Sequence, residues 1–455
     1  MPPQLATAIV ILFILYLFII DGKRKDEDVS GAVYLPFFWF LFAGSRFLSQ
    51  WLSLGATVES SAQSYFEGSP IDRLVFLLLI VGGIVVLQRR RIAVGSLLRQ
   101  NLWVVLYFAF GLLSVLWSDY PLTSMKRLTK AIGNPLMALV LLTEKRPDRA
   151  IGLMIRRVAY LLLPLSVLFI KYYPHLGREY HVTGLQMSMG VTTSKNQLGQ
   201  LCLLCGIYFA WELLVRRQDE VKSVRRRRLP VLLGVSAMTV WLLYMANSMT
   251  SIVTLGVAVV LLLLSRLPRI VYKPSRILTL GLSIAGLLVA LQLALNLSLV
   301  IIVHVLGRDP SLTTRVPMWY DLMGMVKNPI VGFGYESFWL GERLSSLWQR
   351  YGRLHQAHNG YLEVYLNLGA IGLILILGTL ISGFVKVKKG IDTERKFCIL
   401  RLVFLVVVVI HNWTEASFYG VSNMWLMMFL AVLEIPRKWK AWRGVIVRPD
   451  PELVV

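Results

Sequence analysis

Leu74-Val75-Phe76-Leu77-Leu78-Leu79-Ile80-Val81-Gly82-Gly83-Ile84-Val85-Val86-Leu87 is an unbroken uncharged run, and Gln88 leads from it straight into Arg89-Arg90-Arg91. An apolar stretch closed by arginines is the pattern of a helix that crosses a bilayer and ends at an aqueous face. Working outward, similar runs recur at 5–20, 231–246, 278–303, 371–384 and 402–410, in a chain that is 56% hydrophobic with mean hydropathy +0.63. No soluble domain needs that much apolar surface. Set against the ~20 apolar residues that span a bilayer, the runs predict roughly twelve or thirteen transmembrane helices, with the cuts near 39–54 and 128–142 moving the count by one. The expected fold is an all-α polytopic integral membrane protein.

The formal net charge of +23 would suggest nucleic acid in a soluble protein. Here the bases fill alternate links between spans, among them Arg89 to Arg91, Lys145-Arg146, Arg156-Arg157, Arg216-Arg217, Arg225 to Arg228, Lys386, Lys388 and Lys389. That is a positive-inside signal, and without interleaved aromatics it excludes nucleic acid as a partner. The other links then lie outside, at about 55–72, 118–127, 171–196, 247–250, 306–357 and 411–423. The expected organisation is an N-terminal set of spans over 1–305, a large outer loop over 306–357, C-terminal spans over 358–436 and a cytoplasmic tail over 437–455. The charges flanking the first span, Lys23-Arg24-Lys25 and Asp26-Glu27-Asp28, offset one another and leave the side of the N-terminus open. That first span lacks the basic start and small-residue cleavage site of a signal peptide.

Candidate chemistry gathers on the outer side. All six histidines, His175, His181, His304, His355, His358 and His411, fall in or beside outer links. The long loop holds eight aromatic residues able to pack: Trp319, Tyr320, Phe333, Tyr335, Phe338, Trp339, Trp348 and Tyr351. Connections of that length are usually functional or disordered. An amphipathic helix is predicted from Arg315, with Trp319, Leu322 or Met323, and Val326 on one face, lying on the membrane surface and stopped by Asn328-Pro329. Gly332-Phe333-Gly334 reads as a tight turn.

His358-Asn359-Gly360 stands where this loop meets a span. The helix dipole opposes a cation there, and a neutral imidazole is what a general base requires. Gly369 and Gly372 are expected on one face of the same helix.

Arg315 reads either as an interfacial arginine snorkelling to headgroups or as a planar fork for a substrate phosphate. Lys195, in Ser194-Lys195-Asn196-Gln197, and Arg178 are further cations at the mouth of a span. Cys202, Cys205 and Cys398 lie in apolar runs and read as small core residues. Asp26-Glu27-Asp28 has acid-x-acid spacing, but beside three bases a solvated cluster is the better reading. No metal or cofactor motif appears where it could work.

At these residues the chain resembles the O-antigen ligase and polysaccharide polymerase superfamily, and within it the exopolysaccharide production branch. The motifs that carry the resemblance are Arg315…Trp319, Pro329-Ile330-Val331-Gly332-Phe333-Gly334, and His358-Asn359 followed by Gly369-Ala370-Ile371-Gly372. Trp117-Ser118-Asp119-Tyr120-Pro121 and Ser194-Lys195-Asn196-Gln197-Leu198-Gly199 support it upstream.

The resemblance implies a glycosyltransferase of the bacterial inner membrane whose active site faces the periplasm. It would move an undecaprenyl-pyrophosphate-linked glycan onto an acceptor hydroxyl, with inversion and without metal or cofactor. His358 would be the base, and Arg315, with Lys195 or Arg178, would hold the pyrophosphate. Asn359 is a candidate for orienting the acceptor, and Glu415 for orienting the acceptor or the base. A polymerase would use a second lipid-linked glycan as acceptor; a ligase would use lipid A-core. Membrane lipid and other polysaccharide export proteins are the remaining expected partners. A lipid-linked glycan flippase is the reading from a different class. Charge-poor span centres and the absence of an internal repeat count against it.

Overall fold

The structure, a computed structural model, describes residues 1–22, 28–54, 68–180, 186–216, 222–273, 276, 279–281, 283, 286–287, 315–352 and 354–436. It is all-helical apart from one hairpin. The principal helices are α1 (Pro3–Gly22), α2 (Tyr34–Ala43), α3 (Pro70–Arg89), α4 (Val94–Gln100), α5 (Leu102–Leu113), α6 (Pro121–Leu142), α7 (Pro147–Tyr172) and α8 (Lys195–Leu214). They continue as α9 (Lys222–Ala246), α10 (Met249–Leu264), α11 (Arg315–Gly324), α12 (Gly341–Tyr351), α13 (Gly360–Gly390), α14 (Arg395–Thr414) and α15 (Asn423–Val432). Strands β1 (Arg178–Tyr180) and β2 (Gln186–Ser188) form the antiparallel hairpin, which the apolar periodicity did not reveal.

Among the described residues seven helices are long and apolar enough to cross a membrane, and the bent pair α4 and α5 makes an eighth. Three shorter apolar helices, Gly31–Ala43, Met249–Leu264 and Asn423–Val432, accompany them. The run 278–303 lies largely outside the described residues. The segment 128–142 belongs to α6, whose first half carries Lys126, Arg127 and Lys130 and dilutes its hydropathy. The centre of the bundle is α7, α8, α14 and α15; every residue of α15 is buried. By contrast α1 and α3 bury few residues and present Leu12, Ile19, Leu74 and Leu78 outward, as a lipid-facing helix should.

Acidic residues near one end of the bundle pair with the cations there; Arg156 and Arg157, expected in a link between spans, instead lie inside the continuous helix α7, and Arg401 lies inside α14. Asp21 pairs with Arg156 and Arg157, Glu144 with Arg90, Asp28 with Lys145 and Arg149, and Glu434 with Arg401. His358 and the long loop that precedes it stand at the opposite ends of α13 and α14.

The decisive irregularity is in α13. At 31 residues it would run about 46 Å, well beyond the roughly 30 Å hydrocarbon core. Gly369 breaks it, with φ 63° and ψ −161°. The register against α14 shows what the break does. Near the basic end Gly390 approaches Cys398, and Gly383 approaches Leu405, as antiparallel helices do. The same register would bring Ile376 beside Asn412, yet Gly360 stands there. The segment 360–368 is therefore folded back over the end of the bundle, and 370–390 alone makes the crossing.

The exposed backbone at the break is paired by the long loop before α13. Phe333 N–H donates to Leu366 O (3.2 Å) and Gly334 N–H to Asn367 O (2.8 Å), while Ala370 and Ile371 N–H donate to Pro329 O (2.9 Å) and Ile330 O (3.2 Å). The Pro329–Gly334 turn thus replaces the helical hydrogen bonds that Gly369 removes. Side chains are excluded from this contact: a Cβ on Gly332 would lie 2.6 Å from Asn367 C, and one on Gly369 would run into Ile330. The two glycines expected on one helix face therefore do different jobs, because Gly369 lies in the left-handed region and ends the first segment.

Around this turn the long loop forms a small core of Met318, Leu322, Phe333, Phe338, Trp339, Leu344, Leu347 and Ala357, joined by Leu366 of α13. Its aromatics are thus largely packed inward, although Tyr320 remains 70% exposed. Helix α12, unanticipated from the sequence, places Leu344 and Leu347 in this core.

Candidate active site

His358 is the residue before the N-cap of α13. Asn359 caps the helix: its Oδ1 accepts from Tyr361 N–H (3.0 Å) and Leu362 N–H (3.1 Å). His358 itself has φ 50°, a left-handed conformation that disfavours any side chain bearing a Cβ. Such strain persists only when the surroundings enforce it. They do so through Ala357, whose N–H donates to Glu363 Oε2 (3.0 Å) and whose carbonyl accepts from Trp319 Nε1 (2.7 Å). Buried Glu363 also accepts from Trp339 Nε1 (2.5 Å) and Asn367 Nδ2 (3.1 Å), so one carboxylate joins the loop core to the folded-back segment.

Glu415, just beyond α14, is the hub. Its Oε2 faces His358 Nδ1 at 3.2 Å. Its Oε1 accepts from Asn196 Nδ2 at 2.8 Å and lies 3.5 Å from Arg315 Nη2. Arg315 Nη1 also donates to Thr414 O (2.7 Å). The i, i+4 spacing of Arg315 and Trp319 puts both side chains on one face of α11, one reaching Glu415 and the other reaching the residue before His358.

Burial would raise the Glu415 carboxyl. The hydrogen bond and charge of His358, then the charges of Arg315 and His411, more than offset that and hold it below the ordinary glutamate value of 4.5. Removing a partner from a buried charge of this kind costs about 3–5 kcal/mol. His411, whose carbonyl accepts from Glu415 N–H (3.0 Å), is buried, its Nδ1 without a hydrogen-bond partner among the described residues.

The structure therefore brings His358, Arg315 and Glu415 together. Lys195 opens α8, half-buried and next to Asn196, so that helix delivers its first turn to the cluster. Arg178 donates to Ile170 O (2.7 Å) and Gln186 Oε1 (3.1 Å), joining the hairpin to the end of α7. Asn359 uses its side-chain oxygen as the helix cap. His181 and His304 lie outside the described residues, as do Asp26 and Glu27; among those described no group of three or more acidic, histidine or cysteine residues is set to hold a metal. Asn196, Trp319 and Glu363 are the participants that sequence reasoning did not assign. Glu363 had a signal, an acid within an apolar run.

A polytopic membrane protein with an imidazole, a guanidinium and a carboxylate converging at one end of its bundle fits the class that the motifs suggested. Residues 234–377 match the O-antigen ligase family model, a stretch that contains Arg315 and His358. The chain is also 26% identical over 354 residues to the exopolysaccharide production protein ExoQ of Rhizobium meliloti (strain 1021), covering 75% of this chain and 78% of that protein. The likeness to the O-antigen ligase and polysaccharide polymerase superfamily, and to its exopolysaccharide production branch, is thus borne out for a multi-pass membrane chain.

Proposed function

We propose that the chain transfers a glycan from undecaprenyl pyrophosphate to an acceptor hydroxyl at the periplasmic face of a bacterial inner membrane, most simply as an exopolysaccharide polymerase. The observation that carries this reading is the convergence of Arg315 and His358 on Glu415. With Nδ1–H donating to the Glu415 carboxylate, Nε2 of His358 keeps its lone pair. It takes the acceptor hydroxyl proton while that oxygen attacks the anomeric carbon from the face opposite the pyrophosphate. The anomeric C–O bond breaks, its electron pair goes to the pyrophosphate oxygen, and the configuration inverts. The imidazolium that forms is stabilised by Glu415 and later gives its proton to solvent. Arg315 steadies the departing anion with the donors its two protein contacts leave over. Glu415 acts through His358 and is a positioning residue. Lys195 would add positive charge beside the same anion. General-base and electrostatic contributions of about 10²–10⁴-fold each suit a leaving group that is already good.

The test is transfer by the full chain in nanodiscs given the lipid-pyrophosphate-linked repeat unit alone. A ladder of longer lipid-linked glycans, lost in His358→Ala with the protein still folded, is expected. Product only when lipid A-core is added would make the protein a ligase. Undiminished transfer by His358→Ala would remove the base from the mechanism.

A further inference from the structure

Glu363 lies in the folded-back segment 360–368, outside the stretch of α13 that makes the crossing, and is 3% exposed. A buried carboxylate ordinarily has a cation beside it, yet none is within ion-pair distance of this one among the described residues. Three N–H groups take the place of a cation, and they divide unequally. Oε1 accepts from Trp339 Nε1 (2.5 Å) and Asn367 Nδ2 (3.1 Å). Among the described residues Oε2 accepts from Ala357 N–H alone (3.0 Å). The titratable groups around it are Glu336, from the turn before α12, and the neutral hydroxyl of Tyr107, from α5. The basic groups of the adjoining elements are engaged elsewhere, Arg315 and His358 with Glu415 and Arg343 of α12 with Asp119.

We propose that Glu363 is a positioning residue that holds His358 in its strained conformation only while ionised, and that one proton taken up on Oε2 releases it. A carboxylate only accepts, whereas the acid adds an O–H donor. With two donors already on Oε1, the proton enters at Oε2, the oxygen that grips Ala357. The charge-assisted contact from Ala357 N–H is then replaced by one to a neutral hydroxyl, about half as strong, and a new O–H is set among N–H donors. The two contacts of Ala357 enforce φ 50° at His358, so weakening one lets the imidazole relax toward an unstrained backbone. Burial brings this within reach of ordinary conditions: it outweighs the three hydrogen bonds and pushes the carboxyl up from 4.5 to about 7. The latch is closed above that value and opens as pH falls through it. Its consequence for the reaction rests on the transfer reading; the link between Glu363 and Ala357 does not.

The test follows two indole N–H signals by NMR in the full chain, labelled with isotopic tryptophan and held in nanodiscs. Trp339 donates to Glu363, and Trp319 donates to Ala357 O. Each signal is assigned by its loss in Trp339→Phe or Trp319→Phe. Both should move together with a midpoint near 7 in wild type and in His358→Ala, and neither should move in Glu363→Gln. In wild type, no movement of either signal, or movement of Trp339 while Trp319 stays put, overturns the latch whether or not any variant folds. Movement that survives in Glu363→Gln, or that disappears in His358→Ala, assigns the proton to another group and overturns it too. In the transfer assay at about pH 8, kcat of Glu363→Gln should be about two- to tenfold below wild type with donor KM unchanged. Its loss of rate on acidification should also be one proton shallower. Equal kcat with an equal acid limb would overturn the positioning role. Coupled movement of the two indoles without transfer by any form would keep the latch and overturn the transferase reading instead.

Discussion

His358 Nδ1 and Glu415 Oε2 lie 3.2 Å apart, joining the start of α13 to the end of α14 across two turns of chain that share no secondary structure. In the proposed transfer the pair would fix which imidazole nitrogen faces the acceptor. Glu415→Gln keeps the shape but offers no charge to an imidazolium, and transfer should fall about 10²–10⁴-fold with little change in donor KM. The same variant has a stability signature. Glu415 is held below 4.5 in the fold, so its contribution is complete above that value and is lost as pH falls through the lower folded one. Unfolding temperatures taken at roughly pH 3 and pH 7 should show an acid-side loss in wild type that shrinks in Glu415→Gln. An unchanged acid limb would place the titration elsewhere.

Arg315 holds Thr414 O and Glu415 with two different nitrogens of its guanidinium. A lysine has one nitrogen and cannot make both contacts while also meeting a phosphate. Arg315→Lys should lose about ten- to a hundredfold in kcat/KM, read with the lipid-linked donor varied. Near-normal kinetics would mean that only a positive charge is needed at this position.

Gly369 combines a left-handed backbone with direct contact on Ile330, whereas Gly256 faces open space in α10. Gly369→Ala should therefore cost about 2–4 kcal/mol, from strain and from separating the turn. Gly256→Ala should be neutral or slightly stabilising, since alanine suits a helix interior better. Thermal unfolding of the two proteins in the same detergent gives the comparison, and equal values would dismiss the backbone contact as the reason for the glycine.

Trp319 and Glu363 grip Ala357 from opposite sides, by its carbonyl and its N–H. Neither touches the proposed substrate. Trp319→Phe leaves the carbonyl without its donor, and kcat should fall about ten- to a hundredfold while KM for the donor stays put. A rise in KM with kcat unchanged would instead mean that the indole contacts the glycan.

The membrane class was legible because it depends on local sequence, and so were the motifs in which His358 and Arg315 stand. Apolar runs, basic links and a histidine beside a span all appear within short windows. The carboxylate hub was less so. Glu415 follows His358 by 57 positions and Arg315 by 100, and only the packing of α11, α13 and α14 closes those gaps. Gly369 misled for a related reason. In isolation Gly369-Ala370-Ile371-Gly372 has helical spacing, and what breaks the helix is a turn that begins forty residues earlier. Asn359 likewise reads as a polar neighbour of the histidine until its two N–H contacts identify it as a cap.

The fold-back of 360–368 also sets a depth. Helix α14 is 20 residues long, about 30 Å, the thickness of the hydrocarbon layer, and Gly360 sits beside Asn412, close to its outer end. A straight α13 would have lifted His358 well into the water. Broken at Gly369, it keeps the imidazole level with the end of α14 instead, which in a bilayer of that thickness would be the boundary between oil and headgroups. Under the proposed transfer, a polyprenyl donor could then react without drawing its isoprenoid tail out of the bilayer, and a water-soluble glycan would have to come down to meet it.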